Sequence, residues 1–121
     1  MSRITNVYND SESETGVIIE LDVMGTVSTI QIRDTGTGDT FTLDYNFVNN
    51  DKIIIDTNKG QKSVKLIRNA VTTNLFTAVR KGSVFFQLSI GDNFFGYTAD
   101  SGASDDSIHI VFKHYSVYRG V

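Results

Sequence analysis

At 121 residues, 40% of them apolar, with a formal net charge of −3, the chain has the size and composition of one packed domain rather than of a disordered segment. Its lack of cysteine excludes a disulfide framework, a thiolate zinc site and a thiol nucleophile, and its 11 scattered lysines and arginines offer nucleic acid no basic footprint. No apolar run approaches the ~18–20 residues that cross a bilayer, so membrane insertion is not expected, and the polar first residues lack the apolar centre of a signal peptide.

The chain has no proline, which suits strand interiors because proline cannot donate to a ladder. Thr, Val, Ile, Phe and Tyr are plentiful while Leu and Ala are sparse, which is strand chemistry. Residues 3–8 read as a short first strand carrying Ile4, Val7 and Tyr8, and 9–15 as a polar, acidic connection. In 16–25 strict alternation puts Val17, Ile19, Leu21 and Val23 on one face and Ile18, Glu20, Asp22 and Met24 on the other. Residues 28–33 alternate again with Ile30 and Ile32 inward. The run 34–39, DTGTGD, is a turn by composition, and Phe41 and Leu43 resume the alternation, so a β-hairpin is predicted here. Residues 45–50 are less regular. In 51–56, Ile53 and Ile55 share a face and Ile54 takes the other. After a turn at 57–60, Val64 and Leu66 point inward, and Asn69-Ala70 forms a tight turn into Val71-Thr72-Thr73.

Residues 74–81 hold the one plausible helical segment, at most two turns, with Asn74 as its cap. The stretch 83–96, SVFFQLSIGDNFFG, contains four of the eight phenylalanines. It is expected to anchor the core through Phe85, Phe86, Leu88, Ile90, Phe94 and Phe95, as two short strands around a turn at Gly91-Asp92-Asn93. Residues 97–106 read as a polar loop. The last strand, within 107–118, places Ile108, Ile110 and Phe112 on one face and His109, Val111 and Lys113 on the other. Eight to ten strands at regular spacing predict an all-β, antiparallel β-sandwich of jelly-roll type with at most one short helix.

The order of motifs from Gly38 to Val121 is distinctive. Thr37, Gly38, Asp39, Phe41 and Leu43 form TG-D-x-F-x-L, and NDKIIIDT follows at 50–57. K-x-V-x-L then falls at Lys62, Val64 and Leu66, and N-x-x-x-x-N-L at 69–75. S-x-F-F-x-L-x-x-G-x-N occupies 83–93, and the chain closes on Y-x-G-V. This ordered set resembles the carboxy-terminal domain of the distal tail protein family of long-tailed bacteriophages, the siphophage tail components, and residues 3–33 fit the first strands of that domain. The resemblance implies a galectin-like sandwich that projects from a hexameric tail-tip ring and attaches receptor-binding or other baseplate proteins for host adsorption. It also implies that residues 1–121 are one domain of a longer protein whose ring-forming amino-terminal domain is absent here. The isolated domain is then a monomer and the full-length protein a hexamer, located in the virion at the tail tip and made in the host bacterial cytoplasm. The family leads one to expect Asn-Gly at 69–70. Ala70 there predicts a different turn type, because a type I′ turn needs positive φ at both central residues.

No residue set points to catalysis or to a cofactor. His109 and His114 are five apart, which puts them on opposite faces of a regular strand. No Gly-x-Ser-x-Gly elbow is present, and Ser101 in the DSGAS loop reads as a turn former. The run 56–60 starts like a calcium loop but has Gln61 and Ile67 where glycine and an acid are needed. Asp100, Asp105 and Asp106 form a loop acidic cluster that reads as solvated, and Glu20 with Asp22 as a wet strand face. The protein is therefore read as a non-enzyme without metal or cofactor. The candidate contacts for a protein partner or a glycan are Tyr45, Asn50, Phe76, Tyr97, Asp100, Asp105 and Tyr115, on the segments 45–50, 74–81 and 97–106 or the last strand. Val48 and Ile54 are possible exposed apolar residues. The alternative to an adaptor is a carbohydrate-binding module contacting cell-wall glycans, which an outward tyrosine flanked by Asn, Asp or Arg in a groove would favour. Galectins stack their sugar on tryptophan, which this chain lacks, so galectin-like architecture does not carry galectin-like sugar binding.

Overall fold

The computed structural model of the protein describes residues 3–10, 14–58, 60, 62–100 and 108–113. Among these are eleven strands, two of them only two residues long, slightly more than the eight to ten expected. They are β1 (Arg3–Asn9), β2 (Thr15–Gly16), β3 (Ile18–Val23), β4 (Val27–Asp34), β5 (Thr40–Phe47), β6 (Lys52–Asp56), β7 (Ser63–Arg68), β8 (Val71–Asn74), β9 (Gln87–Leu88), β10 (Gly91–Asp100) and β11 (Ile108–Lys113). Every pairing is antiparallel. One sheet has the order β1-β10-β4-β5 and the second β11-β3-β6-β7-β8, with β2-β9 as a small third ladder.

The two large sheets form a sandwich because each strand carries one apolar face. The first contributes Val7, Phe95, Tyr97, Val27, Ile30, Ile32, Phe41, Leu43 and Phe47 to the buried cluster. The second contributes Ile19, Leu21, Val23, Ile53, Ile55, Val64, Leu66 and Ile108. Each such side chain moved out of water is worth about 1.5–3 kcal/mol. Phe95 of β10 stacks on Phe112 of β11 with centroids 5.1 Å apart, and Phe86 meets Phe95 edge-on at 5.1 Å, so aromatic contacts bolt the sheets together. The expected inward faces of β3, β4, β6, β7 and β11 all agree with the structure.

The stretch 83–96 departs from expectation in its middle. It holds no hairpin: β9 pairs with β2 and β10 with β1, so the chain runs on through a break at Ser89-Ile90, and Gly91-Asp92-Asn93 opens β10 instead of forming a turn. Gly91 takes φ 95°, a conformation that suits glycine alone. Asn93 looks like a turn residue but is buried. Its side chain accepts from Ser89 N at 2.9 Å and donates to Ser89 O at 2.8 Å and Val7 O at 3.2 Å. Of the six apolar residues expected in the core, Phe86, Leu88 and Phe95 are fully buried and Phe85 is half-buried. Ile90 and Phe94 are exposed, because β10 turns Asn93 and Phe95 inward and so turns Phe94 outward.

Three smaller corrections follow from pairing. Strand β5 runs on to Phe47 through the segment read as irregular, held by β4. The supposed loop at 97–106 begins as strand, since Tyr97–Asp100 pair with β4 residues Ile32–Thr29; its remainder lies outside the described residues. Asn69 and Ala70 both have positive φ, 51° and 63°. The two-residue turn between β7 and β8 therefore has the type I′ signs that alanine seemed to forbid; the tight β7–β8 ladder imposes them.

The helical expectation at 74–81 reduces to one 3-10 turn, Phe76–Ala78, with the Asn74 Oδ1 accepting from Phe76 N at 2.9 Å. The chain after it runs along the outer edge of β5: Arg80 N donates to Thr42 O and Val84 N to Thr40 O, each at 2.8 Å. This covers an edge that would otherwise present free donors and acceptors.

Candidate functional site

Two cavities and one exposed aromatic pair stand out. The larger cavity, about 510 Å³, is lined by Ser28, Asp44, Tyr45, Asn46 and Arg68. It owes its existence to a β-bulge. The β4–β5 register shifts between Val27 and Thr29, so that Tyr45 and Asn46 together oppose Ser28, and such an extra residue re-aims the side chains around it.

Its charges are matched internally. Arg80 grips Asp44 through Nε–Oδ2 at 2.9 Å and Nη2–Oδ1 at 2.7 Å. Arg68, the last residue of β7, grips Asp51 through Nε–Oδ1 at 2.8 Å and Nη2–Oδ2 at 2.6 Å, and also donates to Asn46 O at 3.1 Å. Both are two-pronged arginine–carboxylate pairs. The Asp51 side chain is only 1% exposed, and its Oδ2 accepts from Val48 N as well. The hydrogen bonds from Arg68 hold the Asp51 carboxyl below its ordinary value, with the Val48 amide and the Arg68 charge adding to this and burial opposing it. Arg80 does the same for Asp44, chiefly through its hydrogen bonds. The Tyr45 ring has the Arg68 guanidinium over it, 6.0 Å from its centroid, and Phe47 beside it at 5.3 Å.

The smaller cavity, about 260 Å³, lies where the 34–39 turn meets the run leading into β9. It is lined by Glu14, Asp34, Thr37, Asp39, Val84, Phe85, Phe86, Gln87 and Ser89. The Asp34 Oδ1 accepts from Gly36 N at 2.9 Å and Thr37 N at 3.3 Å, closing the turn. Gly16, in β2, is held to glycine because a Cβ there would come within 2.5 Å of the Asn58 Cα.

The aromatic pair is on the outer face of the first sheet. Val7 and Asn93 are paired and buried, so their neighbours Tyr8 and Phe94 face out, 59% and 45% exposed, on adjacent strands and diagonal in register.

A family model described as siphovirus-type tail component, C-terminal domain, matches residues 10–114. The chain belongs to that family. No curated protein and no solved structure matches it. As a siphovirus-type tail component domain the protein has a structural role in the phage tail, with its place in the virion tail and its company among other tail proteins. The family is one of structural components, not an enzyme class.

Those of the expected contact residues that are described do not come together. Tyr45 lines the larger cavity. Asn50 is exposed with φ 73°, and Phe76 is 43% exposed on the 3-10 turn. Tyr97 is in the buried cluster, not on the surface as expected; its inward position follows from the alternation with Phe95. Asp100 ends β10, and Asp105 and Tyr115 lie outside the described residues, as do Ser101, Asp106 and His114. Val48 is exposed and Ile54 half-buried. His109 is exposed on β11. Asp56 Oδ1 accepts from both the backbone and the side-chain nitrogen of Asn58, so this carboxylate is engaged locally. Glu20 is engaged by Lys113 at 2.8 Å and Lys52 at 3.3 Å, and the Lys113 hydrogen bond is the main cause of its lowered carboxyl pKa. Among the described residues no group of three or more His, Asp or Glu is arranged to hold a metal. Sequence reading missed the outward pair Tyr8 and Phe94 because it assigned Phe94 to the core, and it missed both arginine pairs because their partners are distant in sequence.

Proposed function

We propose that this domain is a structural adaptor of a phage tail-tip baseplate hub, attaching receptor-binding or other baseplate proteins for host adsorption. The observation that carries this reading is the outward pair Tyr8 and Phe94 on the four-stranded sheet. Aromatic side chains are enriched at protein contacts and expensive to leave in water. The mechanism is association by burial of this face, with no bond made or broken. The domain is one β-sandwich unit of a longer protein; alone it is a monomer, and six copies are brought together by an amino-terminal ring domain. Copies held on a ring bind through multivalency where one alone binds weakly.

The test is retention of labelled domain on purified tail-tip proteins of the same phage. Retention is expected for the wild type and a loss of about tenfold or more for Tyr8→Ser with Phe94→Ser, since a contact aromatic typically carries over 1 kcal/mol. Equal retention by the variant overturns the reading of this face. Light scattering checks the monomer.

A second reading, contact with cell-wall carbohydrate, has one observation in its favour: Tyr45 sits among Asp44, Asn46 and Arg68 in a cavity. Arg68 and Phe47 already occupy the surroundings of the Tyr45 ring, so a sugar there is held by hydrogen bonds to its hydroxyls. Retention on host cell walls, competed away by soluble wall polysaccharide and lost in Tyr45→Ala, supports this reading; no retention rejects it.

A further inference from the structure

The smaller cavity has a property that the larger one lacks. Glu14, Asp34 and Asp39 all line it, and among the described residues no lysine or arginine does. None of the three forms an ion pair with any described residue. Lys62 places its Nζ 5.5 Å from the Phe85 ring centroid yet pairs with none of them. Asp34 is only 9% exposed, and while its Oδ1 closes the turn, its Oδ2 accepts no hydrogen bond from the described residues. The rest of the wall combines the apolar Val84, Phe85 and Phe86 with the neutral polar Thr37, Gln87 and Ser89.

An acidic rim over a partly apolar wall complements one kind of group, a cation on a long apolar stem. The volume of about 260 Å³ falls short of the roughly 300–1,000 Å³ of small-molecule sites, and it suits one side chain. The three carboxylates disfavour any anionic ligand. Arginine matches best, because its planar fork offers two parallel donors to a carboxylate while its stem packs on Val84 and Phe85.

We propose that this cavity is the socket for an arginine side chain of the partner tail protein. The inference rests on the adaptor reading and adds to it a second contact point and the chemistry of what enters it. The partner thus presents a basic residue, and the attachment is salt-sensitive, since screening weakens pairing at a surface cavity.

The test is an NMR titration of the isotope-labelled 121-residue chain with a tripeptide amide carrying arginine at its centre, and with its citrulline counterpart, which keeps the shape and loses the charge. Saturable shifts are expected in the amides of 34–39 and 84–89, with a Kd of about 1 mM for so small a ligand. Binding weakens about tenfold in Glu14→Gln with Asp39→Asn and in the citrulline peptide. Asp34 is left intact because it closes the turn. Equal shifts with citrulline, equal binding by the double variant, shifts elsewhere on the domain, or none at all overturn the proposal. Retention on tail-tip proteins separates the two readings. If only the socket is wrong, the double variant is retained like the wild type. If the adaptor reading is wrong, the wild type retains no tail protein and the socket loses its partner, even where the arginine peptide still binds.

Discussion

Both cavities set carboxylates beside aromatic rings, and they differ in how those carboxylates are matched. At the larger, Asp51 has Arg68 and Asp44 has Arg80. At the smaller, Glu14, Asp34 and Asp39 have no cation of their own among the described residues. A carboxylate satisfied inside the chain is committed to holding the fold. One left unsatisfied on a cavity wall is free to be satisfied by another molecule. The exposure of the paired acids sets how much each contributes: Asp51 is almost fully covered whereas the Asp44 side chain is 44% exposed, and exposed pairs contribute little.

This contrast is sharpest at Asp51. Asp51→Ala is expected to destabilise the domain by about 2–3 kcal/mol, because it strands the Arg68 guanidinium and frees the Val48 amide. Urea unfolding measures the loss, and a midpoint equal to that of the wild type would break the comparison. The same residue sets a pH dependence. Its carboxyl is held below the ordinary value by Arg68, so its contribution is complete above the unfolded pKa of about 3.9 and is lost as pH falls through the lower folded value. The stability gap between wild type and Asp51→Ala should therefore stay constant from neutral pH down to about pH 5 and close in stronger acid. A gap that widens on acidification would contradict the pairing.

A smaller effect is expected one residue beyond Arg68 and Asn69. Ala70 holds φ 63°, which costs a side-chain-bearing residue roughly 1–2 kcal/mol. Ala70→Gly should stabilise the domain by about 1 kcal/mol, less the extra entropy of glycine in the unfolded chain. A lowered unfolding midpoint would show that the turn is not strained. The smallest effects are expected at the exposed acids. Arg80→Ala should leave the midpoint close to that of the wild type. Glu14→Gln with Asp39→Asn should leave it equal or slightly higher, since no internal partner is lost. A clear fall in the double variant would move those acids to the fold-holding side of the comparison.

Much of the sandwich could be read directly from alternation. Val17, Ile19, Leu21 and Val23, then Ile30 and Ile32, then Phe41 and Leu43, recur every second residue, and a period of two leaves only one way to face a core. The DTGTGD turn declares itself because glycine and aspartate solve a local problem. These signals act over a few residues, so the sequence alone determined most of the strands, the inward faces of those with clear alternation, the all-β class and, through the order of motifs, the family.

What lies between distant residues had no such signal. Asn93 has turn chemistry, but its amide is spent on Ser89 and Val7. That makes Gly91-Asp92-Asn93 the start of β10 rather than a turn and leaves Phe94 facing solvent. Ala70 adopts a conformation against its own preference because the β7–β8 pairing on both sides outweighs a cost of one residue. The bulge opposite Ser28, the arginine that reaches Asp44 from 36 positions away and the cavity wall shared by Glu14, Asp39 and Phe85 all depend on which strands become neighbours. Local preference is worth tenths of a kcal/mol to about 1 kcal/mol per residue, whereas burial and pairing act collectively over whole sheets. The tertiary structure therefore decided which acids are matched and which aromatic rings are left facing outward.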